Sequence, residues 1–130
     1  MNNEKPVIEI GDIKLYEVLT IVKYDYIPLL SCCEDKNGQQ YLCLLAEMRH
    51  GLIWVVGKTD DLILKQLLQL DITLNEAITK YEPLFVVYFT SKDKYSYEEF
   101  TKDTIDPLLL AEDGVYMEYI EEEAEAWLKR

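Results

Sequence analysis

Apolar residues in the first 57 positions fall into short runs and alternations, whereas between positions 60 and 81, and again in the last eleven residues, they recur at intervals of three and four. Residues 1–13 read as a polar lead-in broken by Pro6 and Gly11. Leu15, Val18, Leu19, Ile21 and Val22 match helix and strand templates almost equally, and the β-branched Val18, Thr20, Ile21 and Val22 decide for a strand. Asp25 marks a bend, and Pro28, which has no N–H for a ladder, belongs at the start or edge of the next strand. Asn37-Gly38 is the sharpest turn signal, because both residues accept the positive φ that a two-residue type I′ hairpin loop requires. Such a loop sets Cys32 opposite Cys43, Cys33 opposite Leu42, Leu30 opposite Leu45 and Glu34 opposite Tyr41. One face of the hairpin then carries Leu30, Cys32, Tyr41, Cys43 and Leu45, and the other Leu29, Cys33, Leu42, Leu44 and Ala46. Both faces are apolar, so the hairpin is expected to be central or covered on both sides. A second turn at Arg49-His50-Gly51 leads into a strand from Leu52 to Val56 that Gly57 stops, completing a three-strand meander.

The period then changes. Thr59 or Asp60 caps a helix whose buried stripe is Ile63, Leu64, Leu67, Leu68 and, at its end, Leu70. Thr73-Leu74-Asn75-Glu76 fits a capping box, in which Thr and Glu each satisfy a backbone N–H left over at a helix start. Leu74, Ala77, Ile78 and Tyr81 follow at helical spacing as far as Pro83. Leu84–Thr90 is a continuous β run of strand length. Ser96-Tyr97-Glu98-Glu99 repeats the capping-box pattern and predicts a short helical segment with Phe100, broken at Asp106-Pro107. Asp113-Gly114 is a turn, Val115–Tyr119 a last strand, and Ile120, Ala124, Trp127 and Leu128 one stripe of a closing helix. The expected fold class is α+β, a mainly antiparallel sheet packed by two to four short helices, with an acidic helix last.

Length and charge narrow the class. The chain has 130 residues and a formal net charge of −12, with 49% apolar residues and ten Tyr. That length suits a single domain, residues 1–130, able to bury roughly two-thirds of its unfolded surface without disulfides or metal. Its apolar content excludes disorder, and its charge argues against holding nucleic acid by phosphate neutralisation. The start of the chain lacks the basic and apolar regions of a secretory signal, no run reaches membrane-helix length, and the adjacent Cys32 and Cys33 suit no disulfide framework. A cytoplasmic, reduced protein is the expectation.

Catalytic chemistry finds little support in the pattern. Cys32, Cys33, Cys43 and His50 are residue types that bind zinc, but neighbouring strand residues point to opposite faces and cannot share one ion without a bulge. Core packing accounts for the cysteines, although paired Cys32 and Cys43 would be near enough for a cross-strand bridge under oxidising conditions. His50, the single histidine, has no nucleophile-elbow glycine pattern around any Cys or Ser, and turn position explains it. Glycines 11, 38, 51, 57 and 114 are isolated turn formers, not a phosphate cradle. With 25 acids, some carboxylate pair falls at a hydrolase-like distance by chance alone. No catalytic residue, metal ligand or cofactor is therefore assigned.

Two features point instead to a binding surface. Residues 112–125 carry seven carboxylates and no Lys or Arg, and residues 91–130 hold 12 acids against 5 bases. Such a face is either the solvated side of the last helix or a surface that steers towards a basic partner. Tyr24, Tyr26, Tyr95, Tyr97 and Tyr116 fall in polar, loop-like segments, where a ring with a polar tip suits an interface as well as a half-buried sheet.

The stretch from Pro28-Leu29-Leu30 through Asn37-Gly38-Gln39-Gln40-Tyr41-Leu42, with Ile72-Thr73-Leu74-Asn75-Glu76-Ala77 beyond it, resembles small uncharacterised bacterial domains. Those domains place a PLL–turn–G–x–x–YL hairpin ahead of an I–[ST]–L–x–E–A helix. The resemblance covers roughly residues 15–90 and leaves the acidic C-terminal third unmatched. It implies a bacterial or phage origin and an α+β fold, and it carries no catalytic residues with it. The leading expectation is a small non-enzymatic binding protein. It would be an inhibitor of the immunity, antitoxin or anti-defence kind, or an accessory subunit of a defence system, acting on a basic protein such as a nuclease or other nucleic-acid enzyme. The expected contact residues are Tyr95, Tyr97, Glu118, Glu121, Glu122 and Glu125. Two alternatives are a homo-oligomeric scaffold and a small-molecule-binding or hydrolytic domain.

Overall fold

A computed structural model describes residues 6–49, 51–89 and 94–130. His50, Thr90 and the Met1–Lys5 start of the expected lead-in lie outside the described residues. Seven strands follow one another in space in their order along the chain: β1 (Ile8–Ile10), β2 (Ile13–Tyr24), β3 (Ile27–Glu34), β4 (Gln40–Glu47), β5 (Leu52–Thr59), β6 (Leu84–Phe89) and β7 (Tyr95–Phe100). Every neighbouring pair is antiparallel. Helices α1 (Asp61–Leu68) and α2 (Leu74–Ile78) interrupt the meander between β5 and β6, and α3 (Glu122–Leu128) closes the chain. The architecture is a seven-stranded antiparallel sheet, curled nearly into a barrel, with three short helices on its outside.

Two apolar clusters lie on the two faces of this sheet. The outer one joins Leu19, Ile21, Leu30, Cys32, Leu42, Val55, Leu84 and Val86 to Ile63, Leu64, Leu67 and Leu68 of α1, Leu74, Ala77 and Ile78 of α2, and Ala124 of α3. The inner one, enclosed by the curl, is built from Ile8, Ile10, Leu15, Cys33, Tyr41, Cys43, Val56, Phe85 and Val87. A sheet buried on both faces needs strands apolar on both faces, which is why β3, β4 and β6 read as continuous apolar runs. The ends of the curl meet through side chains. The Tyr95 hydroxyl donates to the Val7 carbonyl at 2.9 Å, and the Tyr97 ring lies against Gly11.

Several local expectations are corrected. The β3–β4 loop is one residue longer than a type I′ turn, so Cys32 pairs with Leu42 and Cys33 with Tyr41. The Asp35 carbonyl accepts from the Gly38 N–H, the Asp35 N–H donates to the Gln39 carbonyl, and only Gly38 takes positive φ, at 85°. This is the three-residue loop, in which a type I turn is followed by a left-handed glycine. The Asp35 carboxylate, accepting from the N–H groups of Asn37 and Gln39, holds it in place. Because side chains alternate along a strand, the one-residue shift moves all of β4 to the opposite face relative to β3. Leu30, Cys32 and Leu42 therefore share the outer face, and Cys33, Tyr41 and Cys43 the inner.

β5 runs through Gly57 to Thr59 instead of stopping there. Ser96–Phe100 belongs to strand β7, since its residues pair with Leu84–Tyr88 and that ladder outweighs the local capping-box signal. Val115–Tyr119 forms no strand; it is an irregular strap, turned where the Glu118 N–H donates to the Tyr116 carbonyl and tied down where the Leu74 N–H donates to the Val115 carbonyl. Residues 8–10 are a strand, with Ile8 and Ile10 buried, and Gly11 at φ 59° makes the turn into β2. Other expectations hold in detail. Asp60 caps α1 by accepting from the Ile63 N–H, and Thr73 and Glu76 form the complete capping box of α2. Leu70 falls outside the buried stripe of α1, at a positive φ of 66° just past the helix. Tyr81 also falls outside its helix, half-exposed and donating its hydroxyl to Asp60 Oδ2.

Candidate interaction surface

Strand β2 is long, and its register slips between Glu17 and Leu19 and again between Thr20 and Val22. The first slip re-phases the strand, so that Leu15 points to the inner cluster while Leu19 and Ile21 point to the outer one. β1 pairs with Ile13, Lys14 and Leu15, and beyond that point β2 has no strand neighbour on that side among the described residues. The start of α3 takes them up. The Glu121 N–H donates to the Ile21 carbonyl at 2.8 Å. The Lys23 N–H donates to Glu121 Oε2 at 3.2 Å, and the Thr20 N–H donates to Glu123 Oε1 at 2.7 Å. At this exposed edge the carboxylates take the place of water, and an ionised acceptor makes a stronger bond than a neutral one. Ala124, fully buried, seats the helix against the outer cluster beside half-buried Trp127 and Leu128.

The seven carboxylates of residues 112–125 thus divide into two groups. Glu121 and Glu123 fasten α3 to β2. Glu112, Asp113, Glu118, Glu122 and Glu125 are exposed. Tyr116 and Tyr119 stand exposed among them, and the Tyr119 hydroxyl donates to Glu121 Oε1 at 3.3 Å. The Tyr119 phenol is held above its ordinary range, first by the Glu121 charge, then by burial and the hydrogen bond to Glu121, with smaller contributions from Glu122 and Glu125. Glu121, Glu122 and Glu125 thus combine their negative field at the Tyr119 hydroxyl. The β2–β3 turn, Asp25-Tyr26, follows the last two residues of β2, Lys23 and Tyr24, at the border of this face, with Tyr26 96% exposed. Asp25 takes φ 55°, a conformation Asp tolerates better than most residues.

The six expected contact residues do not form one group. Glu118, Glu121, Glu122 and Glu125 lie together on the strap and α3, on the helix-covered side of the sheet. Tyr95 and Tyr97 lie on β7, facing the inner side. Tyr95 packs its ring on Phe89 at 4.9 Å between centroids and on Trp54 at 6.4 Å, and Tyr97 meets Phe85 edge-on at 5.9 Å. Both tyrosines help to close the curl. The tyrosines that accompany the acids are Tyr116 and Tyr119, with exposed Tyr24 at the neighbouring end of β2. Tyr119 was obscured in the sequence by the expectation of a strand at 115–119, although its position two residues before an acid in a non-periodic segment is the signal that marks it.

The cysteines are free, buried and distributed over both faces. Cys32 and Cys43 belong to opposite faces, so the register removes the close pairing that would have brought them within reach of a bridge. Burial pushes the Cys32 thiol up to about 12. The Cys43 thiol is raised well above its usual value by its hydrogen bond with Cys33 and by burial. No group of three or more His, Cys, Asp or Glu side chains among the described residues is placed to hold a metal ion. Among the described residues no helix is long and apolar enough to cross a membrane. Comparison with protein-family models, curated proteins and solved structures found no match.

Proposed function

We propose that the protein is a small, non-catalytic binding module of bacterial or phage origin that acts on a basic protein partner. It would serve as an inhibitor of the immunity, antitoxin or anti-defence kind, or as an accessory subunit of a defence system. The observation that carries this reading is the exposed face of the strap and α3. There Glu112, Asp113, Glu118, Glu122 and Glu125 project with Tyr116 and Tyr119, and residues 112–125 contain no basic residue. Clustered charge of one sign raises the encounter rate with an opposite surface by roughly 10- to 1,000-fold at low salt, and exposed tyrosines supply rigid contact area once partners meet. Partners of this chemistry include nucleases and other nucleic-acid enzymes, whose substrate-binding surfaces are basic.

The experiment is association of the native protein with its co-purified partner across a salt series, comparing the wild type with a Glu118→Lys, Glu122→Lys, Glu125→Lys triple variant. Glu121 is left intact because its carboxylate holds the Lys23 amide. The expected result is an association rate lower by about tenfold or more at low salt, with a flattened salt dependence. An unchanged rate and salt slope would refute the reading.

A further inference from the structure

On the inner side of the sheet, at the end carrying the β2–β3 turn, a cleft of about 200 Å³ opens between β1 and strands β2 to β5. Its walls are Val7, Ile27, Pro28, Leu45 and Leu52, with Trp54 along one side and Tyr26 at its lip. Two polar groups converge on this apolar space. One is the half-buried carboxylate of Glu17, on the bulged segment of β2. The other is the Ser31 hydroxyl, only 6% exposed, whose contact is the Cys33 thiol at a long 3.8 Å. Glu17 Oε1 accepts from the Thr20 hydroxyl at 3.0 Å, which fixes the carboxylate in place.

We propose that this cleft receives an arginine side chain of the basic partner, a refinement that rests on the function proposed above. The Glu17 carboxylate gives this apolar space a negative charge, so charge complementarity favours a positively charged occupant. The apolar lining suits a hydrocarbon stem, and the volume admits one large side chain. Among cations, a guanidinium is planar and weakly hydrated, stacks on an indole such as Trp54, and offers paired N–H groups to a carboxylate, whereas an ammonium is compact and strongly hydrated. The Ser31 hydroxyl oxygen supplies one further acceptor. The acidic face and the cleft lie on opposite sides of the sheet and meet only at the β2–β3 turn, where Lys23, its N–H bonded to Glu121, is followed by Tyr26, Ile27 and Pro28 of the cleft, so a partner engaging both must wrap that turn.

The test is an NMR titration of the labelled full-length protein with the blocked peptide acetyl-Ala-Arg-Ala-amide and with its citrulline counterpart, which keeps the shape but lacks the charge. The arginine peptide should move the amide signals of Glu17 and Ser31 and the indole N–H of Trp54, saturating at about millimolar concentration. Citrulline should bind at least about fivefold more weakly, and Glu17→Gln, which retains an acceptor for Thr20, should weaken the arginine peptide by a similar factor while leaving remote signals in place. Absence of shifts at these groups up to about 10 mM, equal response to citrulline, or shifts confined to Glu122 and Glu125 would overturn the proposal. The parent reading fails separately: a filled cleft with partner association unaffected by the triple charge reversal removes the acidic face and leaves the cleft.

Discussion

Gly57 marks the closest approach of sheet and helices, and replacing it tests the packing that positions everything else. It pairs with Leu42 in the centre of the sheet, and a Cβ added there would run into the Ile78 carbonyl oxygen, with Leu84 Cδ2 3.2 Å away on another side. The obstructing oxygen is backbone at the end of α2. The next residue, Thr79, donates both its N–H, at 3.1 Å, and its hydroxyl, at 2.6 Å, to the Asn75 carbonyl. No rotamer change can make room, so α2 or β5 must move. Adding one methyl to a packed interior costs about 1–3 kcal/mol. The smaller conformational freedom of unfolded alanine returns about 0.4–1 kcal/mol. Because backbone meets a new side-chain atom here, the upper part of the first range applies, and Gly57→Ala should lose about 2 kcal/mol. In a chain of 130 residues that lowers Tm by about 6–10 °C. Gly114→Asn is the control: at φ 81° with nothing within 4 Å of an added Cβ, it meets only a conformation Asn tolerates, and the change should stay below about 1 kcal/mol. Urea unfolding followed by circular dichroism reads both, as a shift in midpoint at constant m-value. A Gly57→Ala protein as stable as the wild type would refute the tight contact between α2 and β5.

Three further outcomes follow from other parts of the fold. Thr73→Ala removes the capping box of α2 and should cost about 1 kcal/mol in urea unfolding; the Glu76 carboxyl, held low chiefly by its bond from the Thr73 N–H, should rise towards its ordinary value in an NMR titration if that bond loosens with the lost hydroxyl. In native protein at pH 8 none of Cys32, Cys33 and Cys43 should react rapidly with a thiol reagent, and all three should react after unfolding; one fast native thiol would contradict their burial. Since the folded Cys32 thiol titrates only near 12 against an ordinary value of 9.0, its contribution to stability is fully present below about pH 9 and is lost as pH rises from there towards 12, so Cys32→Val should flatten part of the alkaline decline.

The local motifs were legible because their physics is local. A capping box needs four residues, and Thr73–Glu76 forms one whatever surrounds it. The buried stripe of α1 follows from three- and four-residue spacing, and Leu84–Phe89 from an apolar run bounded by Pro83. The same reasoning failed at Ser96–Glu99, where an equally good four-residue pattern lies in a strand. Its backbone groups find partners in β6, and that ladder forms only when distant segments meet. It failed again at Asn37-Gly38, where the carboxylate of Asp35 selected a longer loop than the dipeptide alone suggests.

The sequence by itself determined that this chain folds into an apolar, mostly β-structured sheet with capped helices and an acidic end, because hydrophobic period, capping residues and net charge depend on residue order alone. Tertiary structure decided the rest. The β3–β4 register set Cys33 and Cys43 on the inner face and Cys32 on the outer, since a one-residue difference reverses a whole strand. The free edge of β2 decided that Glu121 and Glu123 are anchors while Glu118, Glu122 and Glu125 face solvent, because identical carboxylates differ only in whether an N–H lies opposite them. The curl of the sheet carried Tyr95 and Tyr97 away from the acids and placed Glu17, Ser31 and Trp54, far apart in sequence, around one cleft. No spacing rule along the chain encodes such neighbours, because they are brought together by the closure of seven strands and not by any one of them.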